Sequence, residues 1–375
     1  MSEDRFVFNV DWHDVQADLI RKYTLTYYPT DKTIEMWDIK NKRPFLKRCD
    51  YPGISQTDLY LGATVTVFSR QLKLTDYADV YTRKRLEWRK SSCCFIVKPD
   101  AYRFLGSVVD LILKSGVTIA KLQMIQMDKH TASEFASIVP ADADPKGLAE
   151  VLSADVCVLG EVVGEDCVPR MVEVAGPADP QEAQSVAPSS IRALYGTSLK
   201  DNALHVSSDS AAGLAECEFF FGPEGSGWET TAKFQDSTCC IIRPHAIRSA
   251  GKIIERIQSE GFEISALKLF HLDRRAADEF LEVYKNVLPE TASLSEEMHS
   301  GPCVVMELRK ENAVDSLRAL CGPHDPEIAR HLRPETLRAK FGIDRVKNAV
   351  HCTDLSDDGV LECQYFFQIL HSASR

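Results

Sequence analysis

No apolar run in these 375 residues approaches the ~18 residues of a membrane span, so no membrane partner is expected. Basic residues are in short supply: 44 Lys and Arg against 55 Asp and Glu leave a net charge of −11. A nucleic-acid backbone needs a basic face, so broad nucleic-acid binding is excluded. The twelve cysteines include no pair of C-x-x-C units at zinc-like spacing. Most, such as Cys93-Cys94, Cys157, Cys239-Cys240 and Cys303, sit in apolar runs and read as buried thiols of a reducing compartment. There is no G-x-x-x-x-G-K-[ST] loop, which excludes P-loop chemistry. Met1 to Arg5 is acidic and precedes only a short apolar patch, so no signal peptide is expected.

What the chain does hold is a β-rich start followed by a duplication. Lys22–Tyr28 and Thr33–Asp38 alternate polar and apolar residues around the turn Pro29-Thr30-Asp31-Lys32, which predicts a hairpin. Ala63–Phe68 predicts a further strand. The basic runs Lys40–Arg48 and Arg83–Lys90 read as a solvated face and a linker, with an acidic surface as the other reading. From residue 91 the chain repeats. Ile96-Val97-Lys98-Pro99 returns as Ile241-Ile242-Arg243-Pro244. Leu105, Val108, Val109 and Ile112 return as Ala250, Ile253, Ile254 and Ile257, one face of a helix in each copy. Gly116 and Gly261 stand where a left-handed C-cap is wanted. Gly176-Pro177-Ala178-Asp179-Pro180 returns as Gly322-Pro323-His324-Asp325-Pro326.

The expected domains are therefore 1–90, 91–222 and 238–375, with a Gly-rich linker at 223–237. Each copy reads strand, helix, strand, helices, strand, helix, long loop, strand. That order predicts a ferredoxin-like α/β (α+β) domain, two of them after a small mainly-β domain. Two tandem copies are expected to pair within one chain, giving a monomer.

The candidate chemistry lies in the same repeat. Asn202 and His205 return as Asn348 and His351, and Glu216 returns as Glu362, just before what reads as an aromatic last strand. A histidine serves as a nucleophile when one ring nitrogen is free and an acceptor orients the other. Lys98, Arg192 and Asn202 in the first copy, and Arg243, Arg318, Arg338 and Asn348 in the second, are donors suited to phosphate oxygens. Without the repetition, a histidine near an asparagine reads as structural.

Lys98-Pro99-Asp100, Ser300-Gly301-Pro302, the Arg338 segment and Asn348-x-x-His351 together resemble the nucleoside diphosphate kinases, over about residues 91–222 and 238–371. The N-terminal segment resembles a small β domain that recurs in ciliary axonemal proteins. The order of domains is similar to a tandem axonemal branch of the kinase family. The resemblance implies ping-pong phosphoryl transfer from a nucleoside triphosphate such as ATP to a diphosphate through phosphohistidine, with Mg²⁺ held mainly by the phosphates. It implies His205 and His351 as nucleophiles, Glu216 and Glu362 as their orienting carboxylates, and Ser207 and Thr353 as nearby hydroxyls. Lys98, Arg192, Asn202, Arg318, Arg338 and Asn348 match phosphate or ribose ligands. It also implies cytoplasmic, cytoskeletal placement in the axoneme of a cilium or flagellum, with tubulin and other axonemal proteins as partners.

The departures from that pattern point to slow turnover, or to a kinase fold kept as a structural binding module. In the first copy Asp155-Val156 replaces a Gly-Pro, and Val172 stands where the second copy has Arg318. Ser137–Leu148 lacks tyrosine, arginine and phenylalanine, removing a stacking platform worth roughly 1–3 kcal/mol. In the second copy Arg243 replaces a lysine, and Tyr284 is the candidate family tyrosine, with no phenylalanine platform evident. Val206 and Cys352 replace the glycine after each histidine; losing one preorganised donor costs about 10²–10³ in rate.

Overall fold

The computed structural model describes residues 5–14, 17–54, 58–86, 92–139, 144–164, 166–222, 227–285 and 287–371. Met1–Asp4, the end of the basic run Arg83–Lys90, residues 140–143 of the Ser137–Leu148 segment and residues 223–226 of the linker lie outside the described residues.

The N-terminal domain is one antiparallel sheet. Its strands are β1 (Phe6–Asp14), β2 (Leu19–Tyr28), β3 (Thr33–Asp38), β4 (Arg43–Asp50), β5 (Thr64–Val67) and β6 (Arg70–Tyr77), in the order β4-β3-β2-β1-β6-β5. The expected hairpin is β2–β3, with Tyr28 opposite Thr33. Asp31 closes its turn by accepting from the Thr33 amide and hydroxyl. The alternation buries Tyr23, Leu25, Tyr27, Ile34 and Met36 on one side. Arg43–Arg48 runs along β4, an exposed edge strand, where positive charge guards unpaired backbone.

The two repeats share a second sheet. The first copy supplies β7 (Ser92–Val97), β8 (Thr118–Ile125), β9 (Cys157–Val163) and β10 (Leu204–Val206). The second supplies β11 (Ser237–Ile242), β12 (Glu263–Phe270), β13 (Cys303–Arg309) and β14 (Val350–Cys352). The order β10-β7-β9-β8-β12-β13-β11-β14 reads the same way from either end, copy for copy. The copies meet edge to edge, with Lys268 of β12 opposite Gln123 of β8.

Behind that seam the helix Leu105–Lys114 lies on the helix Ala250–Ser259. Their backbones touch closely. A Cβ on Gly106 would lie 2.1 Å from the Glu255 nitrogen, and one on Gly251 would lie 2.2 Å from the Asp110 nitrogen. Tyr102 ties the seam further: its hydroxyl donates to the Ile264 carbonyl at 2.9 Å and accepts from the Ile264 amide at 2.8 Å. Gly116 and Gly261 end their helices at φ +86 and +79, as the sequence predicts. The β domain rests on the second copy, where the Thr66 hydroxyl donates to the His299 carbonyl at 2.9 Å.

One expectation is corrected. The aromatic ends of both copies are helices, not strands: Ser210–Phe221 in the first, and Gly359–Gln364 continuing helically through Leu370 in the second. Asp209 caps the first by accepting from the Ala211 and Ala212 amides, and Ala-rich sequence follows. The buried positions Ala212, Gly213, Glu216, Cys217 and Phe220 follow a helical spacing, and Phe220 packs inward on Phe135. The fourth strand of each copy is instead the three-residue segment that carries the histidine.

Candidate active site

Each histidine sits on a short edge strand, His205 opposite Ile96 and His351 opposite Ile241. The chain enters that strand through a strained turn. Ala203 and Ala349 have φ of 70 and 73, a left-handed conformation that costs an L residue of order 1–3 kcal/mol. Contacts on both sides hold it. The Ala203 carbonyl accepts from the Lys98 amide and the Ala349 carbonyl from the Arg243 amide, both at 2.9 Å. The Ala203 amide donates to the Asp100 carboxylate at 2.9 Å, and the Ala349 amide to His245 Nε2 at 3.2 Å. His245 Nδ1 in turn meets Glu297 at 2.6 Å, a part-buried pair doing in the second copy what Asp100 does in the first.

Both imidazoles are held the same way. His205 Nε2 lies 3.0 Å from Glu216 Oε2, and His351 Nε2 lies 2.9 Å from Glu362 Oε2. The same carboxylate oxygen accepts from Ser207 or Thr353 at 2.8 Å. These hydroxyls themselves accept from the Cys94 and Cys239 amides. A carboxylate can only accept, so Nε2 carries the proton and Nδ1 keeps a bare lone pair. That nitrogen is the one chemically able to attack an electrophile. Phe135 and Phe280 stand edge-on to the rings, at centroid distances of 5.4 and 5.0 Å. They lock ring orientation and were not singled out in the sequence, because their distance along the chain from the histidines hides the contact.

The surroundings differ. At His351 a cavity of about 210 Å³ is lined by Arg243, Arg318, Arg338, His351, Cys352 and Asp354, with Tyr284, Leu281, Leu288 and Leu294 as its apolar wall. Arg243 is fully buried, and burial, then the neighbouring Arg338, pulls its pKa down to about 10. Two cations crowded out of water in this way favour an anion between them. Tyr284 stands 6.2 Å from the His351 ring. Asn348 donates to the His324 carbonyl and to its Nδ1, both at 3.2 Å. Asn348 Oδ1, His324 Nε2 and Arg243 Nε are buried without a protein partner, so the pocket holds unmet hydrogen bonds for a polar ligand. His324 was missed in the sequence; the signal was its being the one changed side chain in an otherwise repeated Gly-Pro-x-Asp-Pro.

At His205 the donors are turned on one another. Lys98 Nζ donates to Asn202 Oδ1 at 2.7 Å and to the Lys200 carbonyl at 3.1 Å. Asn202 Nδ2 donates to the Ala178 carbonyl at 3.0 Å. Val172 is half-exposed on its helix. A larger cleft of about 980 Å³ in this copy runs between the helices Lys129–Ile138 and Ser210–Phe221, and no candidate site residue lines it. Arg192 and Arg338 make matching bonds in the two copies. Each gives Nη1 to a glycine carbonyl, of Gly176 or Gly322, and Nε and Nη2 to the carbonyl beside the histidine, of Leu204 or Val350.

A family model described as nucleoside diphosphate kinase matches residues 91–225 and 236–371. The chain belongs to the nucleoside diphosphate kinase family. A second model, described as the N-terminal PH domain of nucleoside diphosphate kinase 7, matches residues 1–88. The nucleoside diphosphate kinase homologs 7 of rat and of mouse are each 45% identical over 370 residues, 98% of this chain and 94% of theirs. The nucleoside diphosphate kinase of Aquifex aeolicus is 38% identical over 134 residues, 35% of this chain and 94% of its own. The family accounts for the fold of both repeats, and its members handle nucleoside phosphates.

Proposed function

We propose that this nucleoside diphosphate kinase chain turns over at its second copy, slowly, through phospho-His351. The observation that carries the reading is the cavity that Arg243, Arg318 and Arg338 line together with His351. His351 Nδ1 attacks the γ-phosphorus of a nucleoside triphosphate; the N–P bond forms, the bond to the bridging oxygen breaks, and the diphosphate leaves. A second diphosphate reverses the step. Glu362 keeps Nε2 protonated and the ring fixed, and stabilises the positive charge that develops on it. The arginines offset charge on the phosphoryl oxygens, and Leu281, Leu288, Leu294 and Tyr284 offer an apolar face to a base. Among the described residues no group of three or more His, Cys, Asp or Glu could hold a metal. The pocket fits a Mg²⁺ bound chiefly through phosphate oxygens and water, with Asp354 the one carboxylate in the lining. Such an ion supplies charge neutralisation at the phosphates.

The first copy is read as a binding module. What supports this is the engaged Lys98–Asn202 pair and the valine at 172. The whole chain is read as an axonemal protein of cilia or flagella, contacting tubulin and other axonemal proteins; this rests on the resemblance of its N-terminal domain. Two experiments test these readings. Incubation with γ-labelled ATP and Mg²⁺ should give acid-labile, alkali-stable label that His351→Ala removes; no label on the wild-type chain sinks the kinase reading. A tagged chain spread evenly through the cytosol of a ciliated cell sinks the axonemal one.

A further inference from the structure

Three pairs of thiols lie close enough to bear on one another's charge among the described residues. Cys94 pairs with Cys217, and Cys239 with Cys363, at equivalent places in the two copies. All four are buried, and Cys94 and Cys239 are pushed well above the usual thiol range, burial being the main cause. The third pair, Cys321 with Cys352, exists only in the second copy, because the first has Ala175 and Val206 at those positions. It differs in two further ways. Cys352 lines the cavity beside His351. Arg338 Nη2 donates to its Sγ at 3.5 Å.

We propose that Cys352 and Cys321 form a reversible, peroxide-reactive thiol pair in the wall of the second site. The geometry supplies what such a pair requires: a cation on the attacking sulfur, a small-molecule entry through the cavity, and a second thiol already in contact. The neighbouring Cys321 draws the Cys352 thiol down against the cost of burial, and Arg338 adds to it. The guanidinium on its sulfur makes Cys352 the member of the pair that reacts as thiolate, with Cys321 as the thiol. The thiolate attacks one oxygen of hydrogen peroxide; the S–O bond forms, the O–O bond breaks, and hydroxide leaves with the electron pair. Cys352 has then become a sulfenic acid, two electrons oxidised. Cys321 gives up its proton and attacks that sulfur; the S–S bond forms and water departs. A dithiol reverses the reaction. The oxidation removes the negative partner of Arg338, so the redox state of the wall changes the charge felt inside the cavity. This inference stands apart from the kinase reading, since it needs no turnover.

The test compares Cys352 with Cys49, the most exposed of the twelve cysteines. The full chain is treated with limiting hydrogen peroxide at pH 7, quenched, and mapped by non-reducing peptide mass spectrometry. A Cys321–Cys352 disulfide is expected about tenfold sooner than any oxidation of Cys49, and dithiothreitol should reverse it. In Cys321→Ala, dimedone should trap the sulfenic acid on Cys352; in Cys352→Val no adduct should form on Cys321. Cys49 reacting first, or disulfides at Cys94–Cys217 and Cys239–Cys363 arising equally fast, overturns the proposal. The wild-type map alone decides if either variant fails to fold.

Discussion

Lys98 and Arg243 occupy the same place in the two repeats, one residue before the proline that opens the next turn. In the first copy the lysine is tied to Asn202 at 2.7 Å. In the second, Arg243 donates to the Val346 carbonyl and keeps its Nε buried without a partner. Asn348, the counterpart of Asn202, is tied instead to His324. So one copy ties its lysine and asparagine to each other, and the other leaves Arg243 Nε, in the cavity wall, and Asn348 Oδ1 without a partner. The parts common to both are those that organise the backbone: the left-handed alanine, the His–Glu–hydroxyl chain and the arginine that binds two carbonyls. Retention of Arg192 and Arg338 is explained by those carbonyl bonds before any ligand is considered. Duplication has kept what the fold needs and let the walls of the sites diverge.

The largest test of this contrast is removal of each histidine. His351→Ala should abolish phosphohistidine and turnover, while His205→Ala should leave both within about twofold, since loss of the attacking group removes the covalent step outright. Equal losses would mean that the two copies are equally active. Next comes Arg318→Val, which gives the second copy the residue of the first. It removes one positioned donor and should lower turnover by about 10²-fold. Steady-state kinetics with ATP and a second nucleoside diphosphate reads this directly.

The repeats, the hairpin, the C-cap glycines and the His–Glu pairing were legible in the sequence because each rests on local periodicity or on comparing one copy with the other. The helical ends were not, because Phe219-Phe220-Phe221 has β-forming side chains, and the Asp209 cap that starts its helix lies well upstream of that run. The same blindness hid Phe280 against His351 and the His245–Glu297 pair, whose members lie 52 residues apart. Where Arg192 and Arg338 spend their donors was also invisible, since carbonyl partners leave no mark in a sequence. The seam between the copies was expected only as pairing; its route through β8 and β12 comes from the fold.

A smaller effect, on stability rather than rate, should fall on both copies alike. Gly106→Ala and Gly251→Ala each place a methyl group against backbone across the seam. Overpacking of this kind costs typically about 1–3 kcal/mol. Thermal unfolding should shift downward by similar amounts for the two variants. A loss confined to one of them would show that the close approach is not mutual and that the copies differ here as well.

The smallest expected change comes from Val172→Arg, the reverse of the Arg318 substitution. Val172 is 45% exposed, so the longer side chain meets little resistance and stability should stay within about 0.5 kcal/mol. The new guanidinium would stand where Arg318 stands in the second copy. It would still lack Tyr284, since the equivalent residue is Val139, and it would lack the carboxylate of Asp354, since the equivalent residue is Ser208. In the second copy Arg318 is itself oriented by Asp354, whose backbone carbonyl accepts from it and whose carboxylate lies 3.9 Å away. An arginine without that partner spends side-chain entropy to reach a ligand and gains little net energy at an exposed site. Nucleotide affinity of the first copy, measured by calorimetry on His351→Ala to silence transfer at the second, should therefore rise by no more than about threefold. A gain of a hundredfold would mean that a single cation separates the two copies, and that the rest of the first site is already built.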